Sequence, residues 1–289
     1  MPLDGTYSLN GKLAVLATMH RKEEVIAPVL ESRLGLRTIV PPRFDTDRFG
    51  TFTREVRRNG SQLDAARAKI AAGFDLVPEA TVGIASEGSF GPHPSFPVAA
   101  LGRELVLLID RDSGFELAGH DATLETNFAN RVVTRVEEAI EFAFRGGFPQ
   151  HGVIIMAFAD AAPNPALGLF KNIGGEPELV AAVGTLVGRF GSAFIEADMR
   201  ASWNPTRMRS IERAVMDLAR RFASRCPRCA HPGYDVTKLV AGLPCAWCGE
   251  PTAIIQSKLL SCVSCGHHEV LSATEDRVAD PGQCEHCNP

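Results

Sequence analysis

The sequence predicts an α/β protein in which a mixed twisted sheet flanked by helices fills residues 1–222. A small zinc-ribbon tail that binds two zinc ions follows over residues 223–289. Three observations carry this. Apolar strand-like runs alternate with segments of helical period through about residue 222. All eight cysteines lie after Arg225. They stand in four C-x2-C pairs: Cys226/Cys229, Cys245/Cys248, Cys262/Cys265 and Cys284/Cys287.

The elements follow in order. Residues 13–18 read as a buried strand, Glu23 to Leu34 as a helix in spite of Pro28, and Thr38 to Val40 as a second strand. Segment 45–60 shows no apolar period and reads as a functional loop or flap. Ser61 is placed to cap a helix that ends near Gly73. Residues 80–85 form a strand, and Ser86-Glu-Gly-Ser-Phe-Gly-Pro92 after it reads as a turn. Glu104–Asp110 and Phe115–Ala118 make a hairpin around Asp-Ser-Gly. Beyond it the pattern predicts a helix over 129–144, a strand over 151–158, a Pro- and Gly-rich loop over 161–177, a helix over 178–190 and a strand over 192–197. Asn204 and Pro205 then open a long helix running to about Ser224.

Composition bounds the function classes. At 289 residues, 45% hydrophobic and 22% charged, the chain is a globular protein with a sizeable core. Thirty Lys and Arg against 34 Asp and Glu exclude a sequence-wide pull toward nucleic acid or an anionic membrane. The absence of a long apolar run or a leader-like start predicts a cytoplasmic protein with no membrane partner.

In a reducing compartment the cysteines are free for metal, and a C-x2-C turn offers two thiolates to one zinc. Two pairings fit the C-x2-C-x15-C-x2-C and C-x2-C-x18-C-x2-C spacings. The sequential one joins the first pair with the second and the third with the fourth. The nested one makes a ribbon of the second and third and joins the outer pairs. Sequential pairing is favoured because short loops cost less entropy to close. Gly249 and Gly266 follow their pairs where a positive φ is useful. Residues 225–289 carry five Lys and Arg against seven Asp and Glu, which makes nucleic acid an improbable partner for the tail. Its expected role is to fold a small segment around metal, and it offers a surface for a homodimer or protein partner.

Three polar clusters fall at predicted strand ends, where open α/β sheets place ligands. Thr18, His20 and Lys22 stand at a helix start and suit a phosphate. Asp64 and Glu87 are expected within one metal's reach, able to share a magnesium ion that grips a phosphate chain, with Lys69 beside them. Arg200 and Arg207 follow the last strand and could clamp a phosphate or planar acceptor.

The order strand, Thr-x-His-x-Lys, helix, strand, loop, Asp-Ala-Ala-x-x-Lys helix, Ala-Ser-Glu87-Gly and an acidic hairpin over residues 12–130 resembles the inosine/xanthosine triphosphate pyrophosphatase superfamily. That resemblance implies magnesium-dependent hydrolysis of nucleoside triphosphates. His20 stands where that family has Asn, the Thr-to-Lys spacing is one residue shorter, and Asp64 replaces Glu. The whole chain with its four cysteine pairs also resembles an uncharacterised bacterial family of unknown function, which implies no activity. Two readings follow. One is a magnesium-dependent phosphohydrolase of a nucleotide or related phosphorylated metabolite, with Glu87 and Asp64 catalytic. The other is a non-catalytic nucleotide sensor or adaptor whose zinc tail docks a partner.

Overall fold

The computed structural model describes residues 7–42, 44–46, 49–50, 60–272 and 277–289. Most of the expected loop at 45–60 lies outside the described residues. The chain divides into two compact units, 9–219 and a second that joins Tyr7 and Ser8 with 220–289.

The first unit is mixed α/β. Its elements are β1 (Leu13–Leu16), α1 (Glu23–Leu34), β2 (Arg37–Ile39), α2 (Gln62–Leu76), β3 (Val82–His93), β4 (Phe96–Asp110) and β5 (Phe115–Thr123). These strands form one sheet in the order β2-β1-β3-β4-β5, parallel among β1, β2 and β3 and antiparallel from β3 to β5. Chain connections leave β1 for β2 on one side and arrive at β3 on the other, so the crevice beyond the carboxyl end of β1 is a switch point of the kind where ligands bind. The face carrying Ala17, Ala85, Leu105 and Leu107 packs on Ala66 and Ile70 of α2. Gly83 is required there, since a Cβ would lie 2.3 Å from the Ile70 side chain.

A second sheet follows with β6 (Asn130–Val133), α3 (Val136–Arg145), β7 (Val153–Ala159), β8 (Ala162–Phe170), α4 (Glu176–Phe190) and β9 (Ala193–Ala197), in the antiparallel order β6-β9-β7-β8. Its core joins Val153, Ile155 and Ile195 to Leu179, Val183 and Leu186. The long helix α5 (Pro205–Ala223) lies against β5 so closely that a Cβ on Gly119 would stand 2.2 Å from the Ala214 carbonyl oxygen.

Three expectations need correction. The helix over 129–144 is a short strand followed by α3, because the Glu138 carboxylate accepts the Thr134 N–H and starts the helix only after Arg135. The loop over 161–177 is largely β8, an edge strand that tolerates Pro163 and Pro165, reached by a two-residue turn in which Asp160 and Ala161 both have positive φ. The turn at 86–92 is the later part of β3, since residues 82–92 pair continuously with β4.

The second unit holds a three-stranded meander, β10 (Asp235–Ala241), β11 (Ile255–Ser261) and β12 (His268–Ser272). Among the described residues no helix is long and apolar enough to cross a membrane.

Candidate functional site

Leu16 ends β1, while β3 continues to His93, nine residues past its last partner for β1, Ile84. Side chains reach the backbone at and around the free β3 edge beyond that point. Lys22 donates its Nζ proton to the Ser86 carbonyl at 3.2 Å, and Gln62 Nε2 donates to the Glu87 carbonyl at 2.9 Å. Lys22 comes from a strained turn: His20 and Arg21 both hold left-handed φ, 65° and 62°, which non-glycine residues adopt at a cost of about 1–2 kcal/mol each. Such strain is typical of ligand-binding loops.

Two buried ion pairs flank that edge on opposite faces of the sheet. Glu87 is in register with Leu105 and faces α2, where it meets Lys69. Glu104 is in register with Gly88 and faces α5, where its Oε1 accepts from Arg207 Nε at 2.6 Å. Gly88 makes room, because a Cβ there would be 2.5 Å from Glu104 Oε1 and 2.6 Å from Arg207 Nη2. Arg207 also donates to the Met199 carbonyl and lies over the Phe90 ring, 5.4 Å from its centre. Asn204 builds this arm of the site: its Oδ1 caps α5 by accepting the Arg207 N–H at 3.0 Å, and its Nδ2 donates to the Asp198 carbonyl.

The charges do not balance locally. Lys22, Lys69 and Arg207 are buried together with Glu87 and Glu104, and each carboxylate is already matched to one cation. Among the described residues Lys22 has only the Ser86 carbonyl. Burial, then the nearby Arg207 and Lys69 charges, pull its amine down to about 7 against the partial support of Glu87 and Glu104. Ser86 Oγ and Glu104 Oε2 are buried here without a hydrogen-bond partner among the described residues. Lys22 is thus a third buried basic group beyond the two paired cations, with unused polar atoms close by.

The other expected residues stand apart from this cluster. Asp64 spends its carboxylate on Ser61, accepting the backbone N–H at 2.9 Å and the hydroxyl at 2.7 Å in a capping box at the start of α2. Those bonds, the backbone one first, lower the pKa of this exposed group. Asp64 is thus engaged in capping α2, whereas Glu87 is engaged by Lys69. Arg200 is paired with Asp198, Nη2 to Oδ2 at 2.5 Å. Thr18 and His20 line a neighbouring open cavity of about 470 Å³ together with Glu23, Phe44 and Asp45. Glu104 was not expected from the sequence. Its signal was a carboxylate at an inward position of the otherwise apolar Glu104–Ile109 run, alternating with Val106 and Leu108.

The eight cysteines form two clusters, each with all four sulfurs within 4.8 Å of one another. The distances across them are 3.7 Å for Cys226–Cys265, 3.6 Å for Cys229–Cys262, 3.9 Å for Cys245–Cys287 and 3.7 Å for Cys248–Cys284. Four sulfurs at tetrahedral zinc stand about 3.8 Å apart, so each cluster could hold one zinc ion. The pairing is first with third and second with fourth, which overturns both the sequential and the nested expectation. Loop entropy was the wrong guide, because strands are stiff. The first and third pairs sit where Asp235 opposes Ser261, whereas the second pair sits beyond Ala241 and Ile255 at the far end of the same hairpin. A strand of that length separates them by about 20 Å. The fourth pair reaches the second beside the Cys245–Ala279 bridge.

Each knuckle has the same build, with an N–H bonded to the carbonyl four residues back at Ala230, Gly249, Gly266 and Asn288. Of these, Ala230, Gly249 and Gly266 have positive φ. The backbone N–H groups of Cys248 and Trp247 hold the Cys245 thiol down to about 7.

A domain of unknown function, DUF6671, matches residues 70–289. The chain belongs to the DUF6671 family. The match takes in β3, Glu87, Glu104, Arg207 and both cysteine clusters and begins after Lys22 and Asp64. No curated protein matches the chain.

Proposed function

We propose that this DUF6671 protein binds the phosphate chain of a nucleotide or related phosphorylated metabolite between Lys22, Lys69 and Arg207, and hydrolyses it with magnesium. The observation that carries the reading is Lys22, a buried amine without a carboxylate partner after Glu87 and Glu104 have each taken a cation, which an entering anion would hold protonated. An entering phosphate oxygen supplies the missing counter-charge, and the strained Thr18–Lys22 turn stands at a helix start that favours anions. Glu87 is the carboxylate placed to orient water or hold a magnesium ion carried in by the phosphates, once Lys69 turns to the ligand. The resemblance of residues 12–130 to the inosine/xanthosine triphosphate pyrophosphatases agrees with such chemistry. Two zinc ions, four cysteines each, serve to fold residues 220–289.

Asp64's engagement with Ser61 favours a second reading, in which the ligand is sensed without being hydrolysed. The cysteine unit would then dock a protein partner, and it presents Trp247 and Val263 at the knuckle tips, 80% and 73% exposed. One experiment divides the two. A nucleotide panel is assayed with magnesium for heat-stabilisation and for phosphate or pyrophosphate release. Stabilisation with release that Glu87→Gln abolishes supports the hydrolase. Stabilisation without release supports the sensor, and no stabilisation by any phosphorylated ligand removes both.

A further inference from the structure

The Lys22 amine faces one ionisable side chain from each of four elements: Lys69 of α2, Glu87 of β3, Glu104 of β4 and Arg207 of α5. Lys69 with Glu87 and Arg207 with Glu104 close into ion pairs, all four side chains no more than 9% exposed. Each pair is neutral, so a protonated Lys22 leaves the cluster one positive charge in excess. Its acceptor among the described residues is the uncharged Ser86 carbonyl, and Lys22 itself is buried. The charged groups on its own turn do not change this count. Arg21 and Glu24 pair with each other at 2.7 Å in solvent, and His20 and Glu23 line the neighbouring open cavity. A buried charge with no counter-charge is relieved by loss of its proton. The fall of the Lys22 amine to about 7 is that relief. An oxyanion arriving beside the amine restores the counter-charge, and with it the ammonium form.

We infer that an oxyanion enters this site together with a proton taken up by Lys22, which makes ligand binding by this protein acid-dependent. The coupling rests on the phosphate-binding reading above and gives that site a regulator, the proton. Its sign follows from linkage. Below pH 7 the amine is already charged and binding takes up nothing. Above pH 7 each bound anion brings in up to one proton, and affinity falls by up to tenfold per pH unit. An alkaline shift therefore releases the ligand, and bound ligand in turn holds the proton.

Sulfate and inorganic phosphate serve as probes, because each stays a dianion between pH 8.5 and pH 9.5. They are titrated into the full-length protein at constant ionic strength, with affinity read by NMR and proton uptake by pH-stat. The expected result at pH 8.5 is uptake of about one proton per anion bound, with a dissociation constant that rises about tenfold by pH 9.5. Lys22→Arg supplies a side chain that stays charged, so it binds the same anions with no proton uptake and a level affinity across the range. Should that variant not fold, the wild-type proton count decides by itself. Saturable binding without proton uptake overturns the coupling and leaves the phosphate-binding reading in place. Absence of saturable binding by sulfate and phosphate alike overturns both.

Discussion

Replacing Lys22 with methionine should stabilise the ligand-free protein while abolishing the phosphate binding proposed for it. Methionine keeps the unbranched stem and removes the amine. The folded state lowers that amine from 10.5 to about 7. At about 1.4 kcal/mol per tenfold, this costs folding about 4 kcal/mol at pH 7, an upper bound that relaxation reduces. The sign follows from proton counts. Between pH 7 and 10.5 the unfolded chain holds a proton that folded Lys22 has released, so the stability of the wild type rises with pH across that window. Below pH 7 both states are protonated and Lys22 adds no slope. Loss of the bond to Ser86 gives back about 1 kcal/mol. The expected net gain for Lys22→Met at pH 7 is therefore about 1–3 kcal/mol, together with a flatter stability profile from pH 7 to 10. Urea denaturation of both proteins at pH 7 and pH 9.5 reads this directly. A variant less stable than wild type at pH 7, with an unchanged slope, would mean that Lys22 is solvated or fully paired, and the anion-receptor argument would fall with it.

Arg207→Met leaves Glu104 buried without its cation and should cost about 3–5 kcal/mol, with Glu104→Gln added to it restoring part of the loss; equal stability of single and double variants in denaturant titrations would deny the coupling. Cys226→Ser with Cys262→Ser strikes one cluster and should leave about one metal per chain, whereas Cys226→Ser with Cys245→Ser strikes both and should leave neither; elemental analysis giving the reverse order would restore sequential pairing. Gly119→Ala should cost about 3 kcal/mol because the backbone of α5 blocks the new methyl, and thermal melting within a degree of wild type would contradict that packing. Ala230→Gly relieves a left-handed residue in the first knuckle and should add about 0.5–1 kcal/mol to the chelator resistance of the cysteine unit, as read by the chelator midpoint.

What the sequence disclosed depended on how local the signal was. α1, the capped start of α2 and the Asn204–Pro205 opening of α5 are written in short-range chemistry and appear where expected. Residues 86–92 look like a turn because glycine, serine and proline favour turns, but pairing with β4 overrides that preference. β8 was hidden by its prolines, which only an edge strand accepts. Of the site, Lys22, Lys69, Glu87 and Arg207 come together as cluster members. Glu104 escaped notice because its significance lies in a register with Gly88 that no linear pattern reveals. Asp64 has a second, purely local role that the sequence also carried: a carboxylate three residues after a serine completes a cap.

The crossed pairing of the cysteines clamps a single hairpin at its two ends, about 20 Å apart. Filling the first cluster fixes the open end of β10 and β11, and the aligned hairpin holds the loop that carries Cys245 and Cys248 ready for Cys284 and Cys287. The second ion then binds to a structure whose ordering entropy is already spent, and the two metals become positively cooperative although no atom connects them. Stripping the first should lower the affinity of its distant neighbour without emptying it.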